Sequence, residues 1–255
     1  MSYRVVIPAR YASTRLPGKP LRLLAGRPMI AHVHARAMAA GADEVVVATD
    51  DERIASACRA IGADVALTDP DHPSGTDRLA EVARARRWPG ESIVVNVQGD
   101  EPLMPPKAVA QVAALLAATP TAAVATLATP IVSLEEFEDP NVVKVVAAPD
   151  GRALYFSRAP VPWPREAAAR GERGATRYGL ARRHIGLYAY RVSALWALAA
   201  LNPTPFELTE RLEQLRALEH GMGIVVATAV EVPGPGVDTE SDLAAAERAL
   251  KAWPA

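Results

Sequence analysis

The chain carries a single cysteine, Cys58, among 255 residues, so no internal disulfide can form. Cys58 falls on an expected helix, where a small apolar residue serves, and we read it as structural. No apolar run reaches the roughly 18 residues of a membrane span. The N-terminus goes straight into an expected strand rather than a leader. These features predict a cytoplasmic chain with no membrane partner. An excess of charge of one sign is also missing. The formal net charge of -1 gives no whole-molecule field for nucleic acid. No His or Cys stands at metal-ligand spacing from His72. The Walker A pattern is absent, because Gly18-Lys19 is followed by Pro20, and so is Gly-x-Gly-x-x-Gly, which disfavours an NAD enzyme.

What is present suits a folded α/β chain. Half the residues are hydrophobic and 22% are charged. Val5-Val6-Ile7, Val45-Val46-Val47-Ala48, Val65-Ala66-Leu67 and Ile93-Val94-Val95-Asn96-Val97 read as strands that are apolar nearly throughout. Helical stretches follow them: Met29 to Ala40, Asp51 to Ile61, about Asp77 to Arg87, and Pro106 to about Ala118. This alternation predicts a mostly parallel sheet covered on both faces. After residue 120 the rhythm changes. Strands are expected at Val124–Ile131 and Val142–Ala147, and Asp150-Gly151 makes a hairpin into Ala153–Ser157. Residues 159–182, rich in Pro, Arg and Gly, are expected to form a mobile excursion. His184–Tyr190 alternates as a strand. Leu208, Leu212, Leu215 and Leu218 predict one helix over 206–219, and Gly223–Val230 is a further strand. Thr239 and Asp242 stand at capping-box spacing before a last helix. No linker is apparent, so we expect one domain over 1–255.

Chemistry concentrates in a few places. The stretch after the first strand carries Arg10, Ser13, Thr14, Arg15 and Lys19 with no acidic residue between them. It offers backbone N–H groups, two hydroxyls and three positive charges, as a polyphosphate requires. A solvated basic loop is the plain alternative, although Pro8, Pro17 and Pro20 imply a fixed shape. Asp100 directly follows an apolar strand, where a carboxylate can meet Mg²⁺, a hard cation that prefers oxygen. It reads equally as a turn or helix-cap Asp. Asp238, after a Gly/Pro-rich turn, could be a second such carboxylate, but taken alone it reads better as a helix N-cap. The run His72-Pro73-Ser74-Gly75-Thr76-Asp77-Arg78 offers donors at a helix start, for a base or phosphate or simply for a cap. In the second half, Arg158, His184, Tyr188, Glu213 and Gln214 can bind a polyhydroxylated acid, with Arg pairing to its carboxylate. Their spacing alone fits unrelated surface polar residues better.

A resemblance ties these places together. Ala9-Arg10-Tyr11-Ala12-Ser13-Thr14-Arg15-Leu16-Pro17-Gly18-Lys19-Pro20-Leu21 resembles the signature loop of the CMP-Kdo synthetase family (3-deoxy-manno-octulosonate cytidylyltransferases). His72-x-Ser74-Gly75-Thr76-Asp77-Arg78, Val95–Pro102, Val143–Val146, Ala153–Arg158, His184–Tyr188, Leu212–Arg216 and Val232–Thr239 are similar to it in the same order. The related sialic acid enzymes have a glycine-richer first loop. The resemblance implies a Rossmann-like nucleotidyltransferase with a hairpin-bearing second half, acting as a homodimer in the cytoplasm. It implies CTP and Kdo as substrates, Mg²⁺ as cofactor, and a role in lipopolysaccharide biosynthesis. Residues from about 1 to 120 would be the nucleotide-binding half, and those from about 121 to 255 the sugar-binding and dimerisation half. Carried over, Arg10, Ser13, Arg15 and Lys19 hold the phosphates, with Arg10 and Lys19 also catalytic. Ser74, Thr76, Arg78 and Gln98 lie along the nucleotide, and Asp100 and Asp238 ligate Mg²⁺ as catalytic carboxylates. Arg158, His184, Tyr188, Glu213 and Gln214 surround the sugar acid.

Overall fold

The computed structural model describes residues 1–12, 16–172 and 174–252. In chain order the first half contains β1 (Arg4–Ala9), the short ribbon β2 (Leu23–Leu24) and β3 (Arg27–Pro28), and α1 (Met29–Ala39). These are followed by β4 (Glu44–Thr49), α2 (Glu52–Ala60), β5 (Asp64–Leu67), α3 (Gly75–Ala85), β6 (Ile93–Asn96) and α4 (Pro106–Ala118). The second half begins with β7 (Val124–Pro130), α5 (Leu134–Glu138), β8 (Lys144–Ala147), β9 (Ala153–Ser157), α6 (Arg165–Ala169) and α7 (Ala175–Tyr178). It continues with β10 (Arg182–Arg191), α8 (Val192–Ala199), α9 (Pro205–Glu210), α10 (Gln214–Glu219), β11 (Ile224–Thr228) and α11 (Glu240–Ala252).

One sheet takes strands from both halves, in the order β11-β7-β10-β6-β1-β4-β5, with β8 and β9 attached beside β10. Along that path only β10 runs against its neighbours, so the sheet is mostly parallel, as expected. Strands so apolar need cover on both faces. Val5, Ile7 and Val95 pack with Ile30 and Val33 of α1 and Val109 and Val112 of α4. Val6, Val46 and Val94 pack on the other face with Leu79 and Val82 of α3 and Leu195 and Leu198 of α8. Each such side chain contributes about 1.5–3 kcal/mol when fully buried. The Asp150-Gly151 turn joins β8 to β9 as the sequence indicates. Gly151 has a φ of +85°, and a Cβ there would lie 3.0 Å from the Val226 carbonyl oxygen.

One local expectation needs correction. The helix read over 206–219 is two helices, α9 and α10, separated at Arg211, whose φ of 55° is left-handed. The leucine spacing runs across this break without marking it: Leu212 and Leu215 are buried, whereas Leu208 is exposed. A buried ion pair from Glu207 to Arg216, with Nε to Oε2 at 2.8 Å, fixes the two helices against each other. The segment 159–182 carries the short helices α6 and α7. Its end is anchored by Ala181, which packs with Ile131 and Phe137.

Candidate active site

In an open sheet of this kind, ligands bind beyond the carboxyl ends of the parallel strands. A cleft of about 760 Å³ opens there. Arg10 enters it directly after β1. Gln98, Gly99 and Asp100 enter after β6, and Ser74 and Arg78 come from the start of α3. Lys19 and Asp238 complete the wall. The turn after β6 packs tightly on the end of β1: a Cβ on Gly99 would sit 2.8 Å from the Pro8 carbonyl oxygen. Ser13 and Arg15 lie outside the described residues.

The centre of the cleft is a charge triad. Lys19 Nζ donates to Asp100 Oδ2 at 2.7 Å and to Asp238 Oδ1 at 3.1 Å. Burial lowers the pKa of Lys19, but the two carboxylates outweigh it, so the ammonium is held above its ordinary value. Asp238 reaches Lys19 because its neighbour does the capping. Thr239 Oγ1 accepts from the Asp242 N–H at 3.2 Å, and Asp242 Oδ2 accepts from the Thr239 N–H at 2.9 Å. This is the capping box that the spacing indicates. Beneath the triad lies Glu101, which the sequence reading did not single out. Burial first, then the nearby Asp100 and Asp238 charges, push its carboxyl up to about 8. Its position next to Asp100 in the sequence was the available signal.

Ser74 caps α3 by accepting from the N–H groups of Thr76 and Asp77, so the helix begins at Gly75, earlier than expected. Arg78 lies on the cleft wall although only 3% exposed. It pairs with Asp50 Oδ2 at 3.3 Å and donates to Thr68 Oγ1. Asp50, at the end of β4, was not anticipated. Thr76 points away from the cleft, and its Oγ1 donates to Glu213 Oε2 at 3.0 Å. Glu213 therefore bridges to the start of α3. Burial raises its carboxyl pKa, although Thr76, Arg216 and Ser74 oppose that shift.

Of the second-half residues only Asp238 lines this cleft; Arg158, His184, Tyr188, Glu213 and Gln214 do not. Tyr188, Glu213 and Gln214 line a separate small recess of about 100 Å³ with Tyr190. The His184 and Tyr188 rings are 5.2 Å apart on one face of β10, as the strand period requires. Arg158 stands at the end of β9, and its Nε donates to the Glu210 carbonyl at 2.7 Å. His184 Nε2 meets Thr126 Oγ1 at 3.0 Å. Burial pulls its imidazole from 6.5 down to about 3.

The depressed His184 pKa has a consequence for stability. Below 6.5 the unfolded chain binds a proton that the folded chain refuses until about 3, so stability is lost as pH falls through that window. At pH 5 the expected loss is about 2 kcal/mol. Urea melts at pH 7.5 and pH 5 should show it, and His184→Gln should lessen the fall. An equal fall in wild type and variant would assign the acid sensitivity to other groups.

Comparison with known proteins bears on this geometry. A family model described as cytidylyltransferase matches residues 4–224. A 3-deoxy-manno-octulosonate cytidylyltransferase of Thioalkalivibrio sulfidiphilus is 57% identical over 254 residues, 99% of this chain and 100% of that protein. One of Pseudomonas fluorescens is 55% identical over 251 residues, 98% of this chain and 99% of that protein. A solved structure described as CMP:2-keto-3-deoxy-manno-octonic acid synthetase complexed with CTP is 42% identical. It matches with a TM-score of 0.88 and covers 99% of both chains. A nucleotidyl transferase from Methanothermobacter thermautotroptrophicus, 17% identical, covers 99% of both chains with a TM-score of 0.63 and shares the fold.

Proposed function

The chain belongs to the cytidylyltransferase family, and on that premise we propose that it activates 3-deoxy-D-manno-octulosonate (Kdo) with CTP. The products are CMP-Kdo, which feeds lipopolysaccharide biosynthesis, and pyrophosphate. One observation carries the reading: full-length likeness to relatives that bear this single activity name, at 55–57% identity. The convergence of Lys19, Asp100 and Asp238 in one cleft supports it.

The reaction forms a bond between the anomeric oxygen of Kdo and the α-phosphorus, and breaks the α–β bridging P–O bond. Pyrophosphate leaves and the sugar hydroxyl proton passes to solvent. Such transfer needs positioning and charge neutralisation rather than a protein nucleophile. Arg10 and Lys19, with Ser13 and Arg15, hold the phosphates and offset the charge on the leaving group. Ser74, Arg78 and Gln98 line the nucleotide, while Thr76 braces Ser74's helix through Glu213. Arg158, His184, Tyr188, Glu213 and Gln214 take the sugar acid.

The donor set fits Mg²⁺. Two hard carboxylate oxygens, from Asp100 and Asp238, already converge on one cation, the Lys19 ammonium. When bound there, the metal supplies charge neutralisation at the phosphate oxygens. We read the chain as one domain, 1–255, working as a homodimer in the cytoplasm, where CTP is available. Among the described residues no helix is long and apolar enough to cross a membrane.

Pyrophosphate release from CTP and Mg²⁺, with Kdo and N-acetylneuraminic acid in parallel, tests the assignment. Release with Kdo alone is expected. Release with N-acetylneuraminic acid alone would move the enzyme to the sialic acid branch, and release with neither would overturn the acceptor.

A further inference from the structure

We propose that Lys144 is a positioning residue for the sugar-acid side of the site. Its buried ammonium ties the 139–142 turn to the backbone of Arg158 and so sets the guanidinium that receives the acid's carboxylate. The inference rests on the assignment of Arg158 to the sugar acid made above.

Lys144 is 0% exposed. It lies on β8 between two strands that carry expected sugar contacts, opposite Ser157 of β9 and Arg183 of β10. A buried ammonium is costly unless all its protons find acceptors. Here Nζ donates to three carbonyl oxygens, those of Asp139 at 2.8 Å, Val142 at 2.6 Å and Arg158 at 2.7 Å. Burial lowers its pKa, which Asp139 and Glu210 nearby partly oppose. A methionine would fill the same volume without desolvating a charge, but it would take the Nζ donor from the Val142 and Arg158 carbonyls and leave the Asp139 carbonyl with the Val142 N–H alone.

Those carbonyls belong to the frame around Arg158. The Arg158 N–H donates to Glu210 Oε2 at 2.9 Å, and its Nε donates to the Glu210 carbonyl at 2.7 Å. Its Nη1 donates to the Pro140 carbonyl at 3.0 Å, inside the turn that Lys144 holds by Asp139 and Val142. Lys144 therefore fixes both the main chain of Arg158 and the acceptor that orients its side chain. The same segment reaches the other sugar contact, because the Val143 carbonyl accepts from the His184 N–H at 2.8 Å. The lysine charge adds to that of Arg158, so removing it weakens the local attraction for a carboxylate as well as the geometry.

The test compares wild type, Lys144→Met and Lys144→Gln by steady-state kinetics with Kdo and CTP, with CTP affinity measured by calorimetry. In Lys144→Met, KM for Kdo should rise about tenfold to a hundredfold, the range for a misplaced binding group. KM and Kd for CTP should stay within about twofold, and Lys144→Gln should lie between, since it donates but carries no charge. In an Arg158→Met background the same substitution should add less than about threefold, since two residues acting through one contact are not additive. An unchanged KM for Kdo in a variant that binds CTP normally would overturn the proposal. So would equal loss of CTP and Kdo binding in both variants, which marks a purely structural lysine. A wild type that does not turn over Kdo would instead overturn the assignment of the substrate.

Discussion

Asp100→Ala is expected to lower turnover about a thousandfold or more while leaving the protein folded, a loss of about 4 kcal/mol of transition-state stabilisation. The effect is large because the side chain supplies one of two carboxylates that meet a single cation in the cleft. Under the proposed metal role, removing either carboxylate leaves the divalent cation with a single protein ligand. The fold should survive because the Asp100 carboxylate is about one-third exposed, with a side-chain exposure of 32%. What ties this turn to the 237–238 segment is its backbone, through the Asp100 carbonyl accepting from the Val237 N–H at 2.9 Å. Asp100→Asn keeps the shape and loses the charge, and should fall nearly as far. Asp238→Ala should match it, and the double variant should cost little more than either single one, since the two act on one ion. Pyrophosphate release with Mg²⁺, read beside thermal melts, decides the matter. A folded Asp100→Ala enzyme within tenfold of wild type would remove the metal role from this residue.

The parallel half of the fold was legible because its information is local. Apolar runs alternate with helical stretches along the chain as the strands and helices do, and Thr239 with Asp242 announced the start of α11. What could not be read depends on distant pairing. Nothing in His184–Tyr190 says that β10 inserts, antiparallel, between β6 and β7. The helix break at Arg211 was hidden because the leucine spacing continues across it. It is explained by the Glu207–Arg216 pair, which holds α9 and α10 as separate segments.

The site shows the same division. Asp100 and Asp238 were each ambiguous between a cap and a ligand, and only the position of Thr239 shows which residue caps. Arg10, Lys19, Ser74, Arg78 and Gln98 do reach one cleft with the two carboxylates. Thr76 does not, because the helix start turns its hydroxyl toward Glu213. Charge sign alone pointed Lys19 to phosphate. Its resting partners, carboxylates far away in sequence, had no local signature.

Those partners lead to the second large expected effect, on Lys19→Met. Turnover should again fall about a thousandfold, since the cation proposed to offset charge on the leaving phosphates is lost. Affinity for a divalent cation in the absence of CTP should move the other way and improve about tenfold, or about 1.4 kcal/mol. The reason is competition. Lys19 Nζ sits 2.7 Å from Asp100 and 3.1 Å from Asp238, with its side chain only 14% exposed, so it neutralises the pair a metal needs. A metal entering alone must break both contacts and leave the ammonium without an anion. On the proposed role the phosphates of CTP would accept that ammonium, so nucleotide and metal should each tighten the other's binding. The methionine variant has no ammonium to displace, so its metal affinity should be higher without CTP and should gain less when CTP is added. Titration with Mn²⁺ followed by electron paramagnetic resonance measures both quantities without any turnover. Weaker Mn²⁺ binding in Lys19→Met than in wild type would mean that the lysine does not occupy the metal's place, and that its contacts with Asp100 and Asp238 serve the carboxylates' orientation instead.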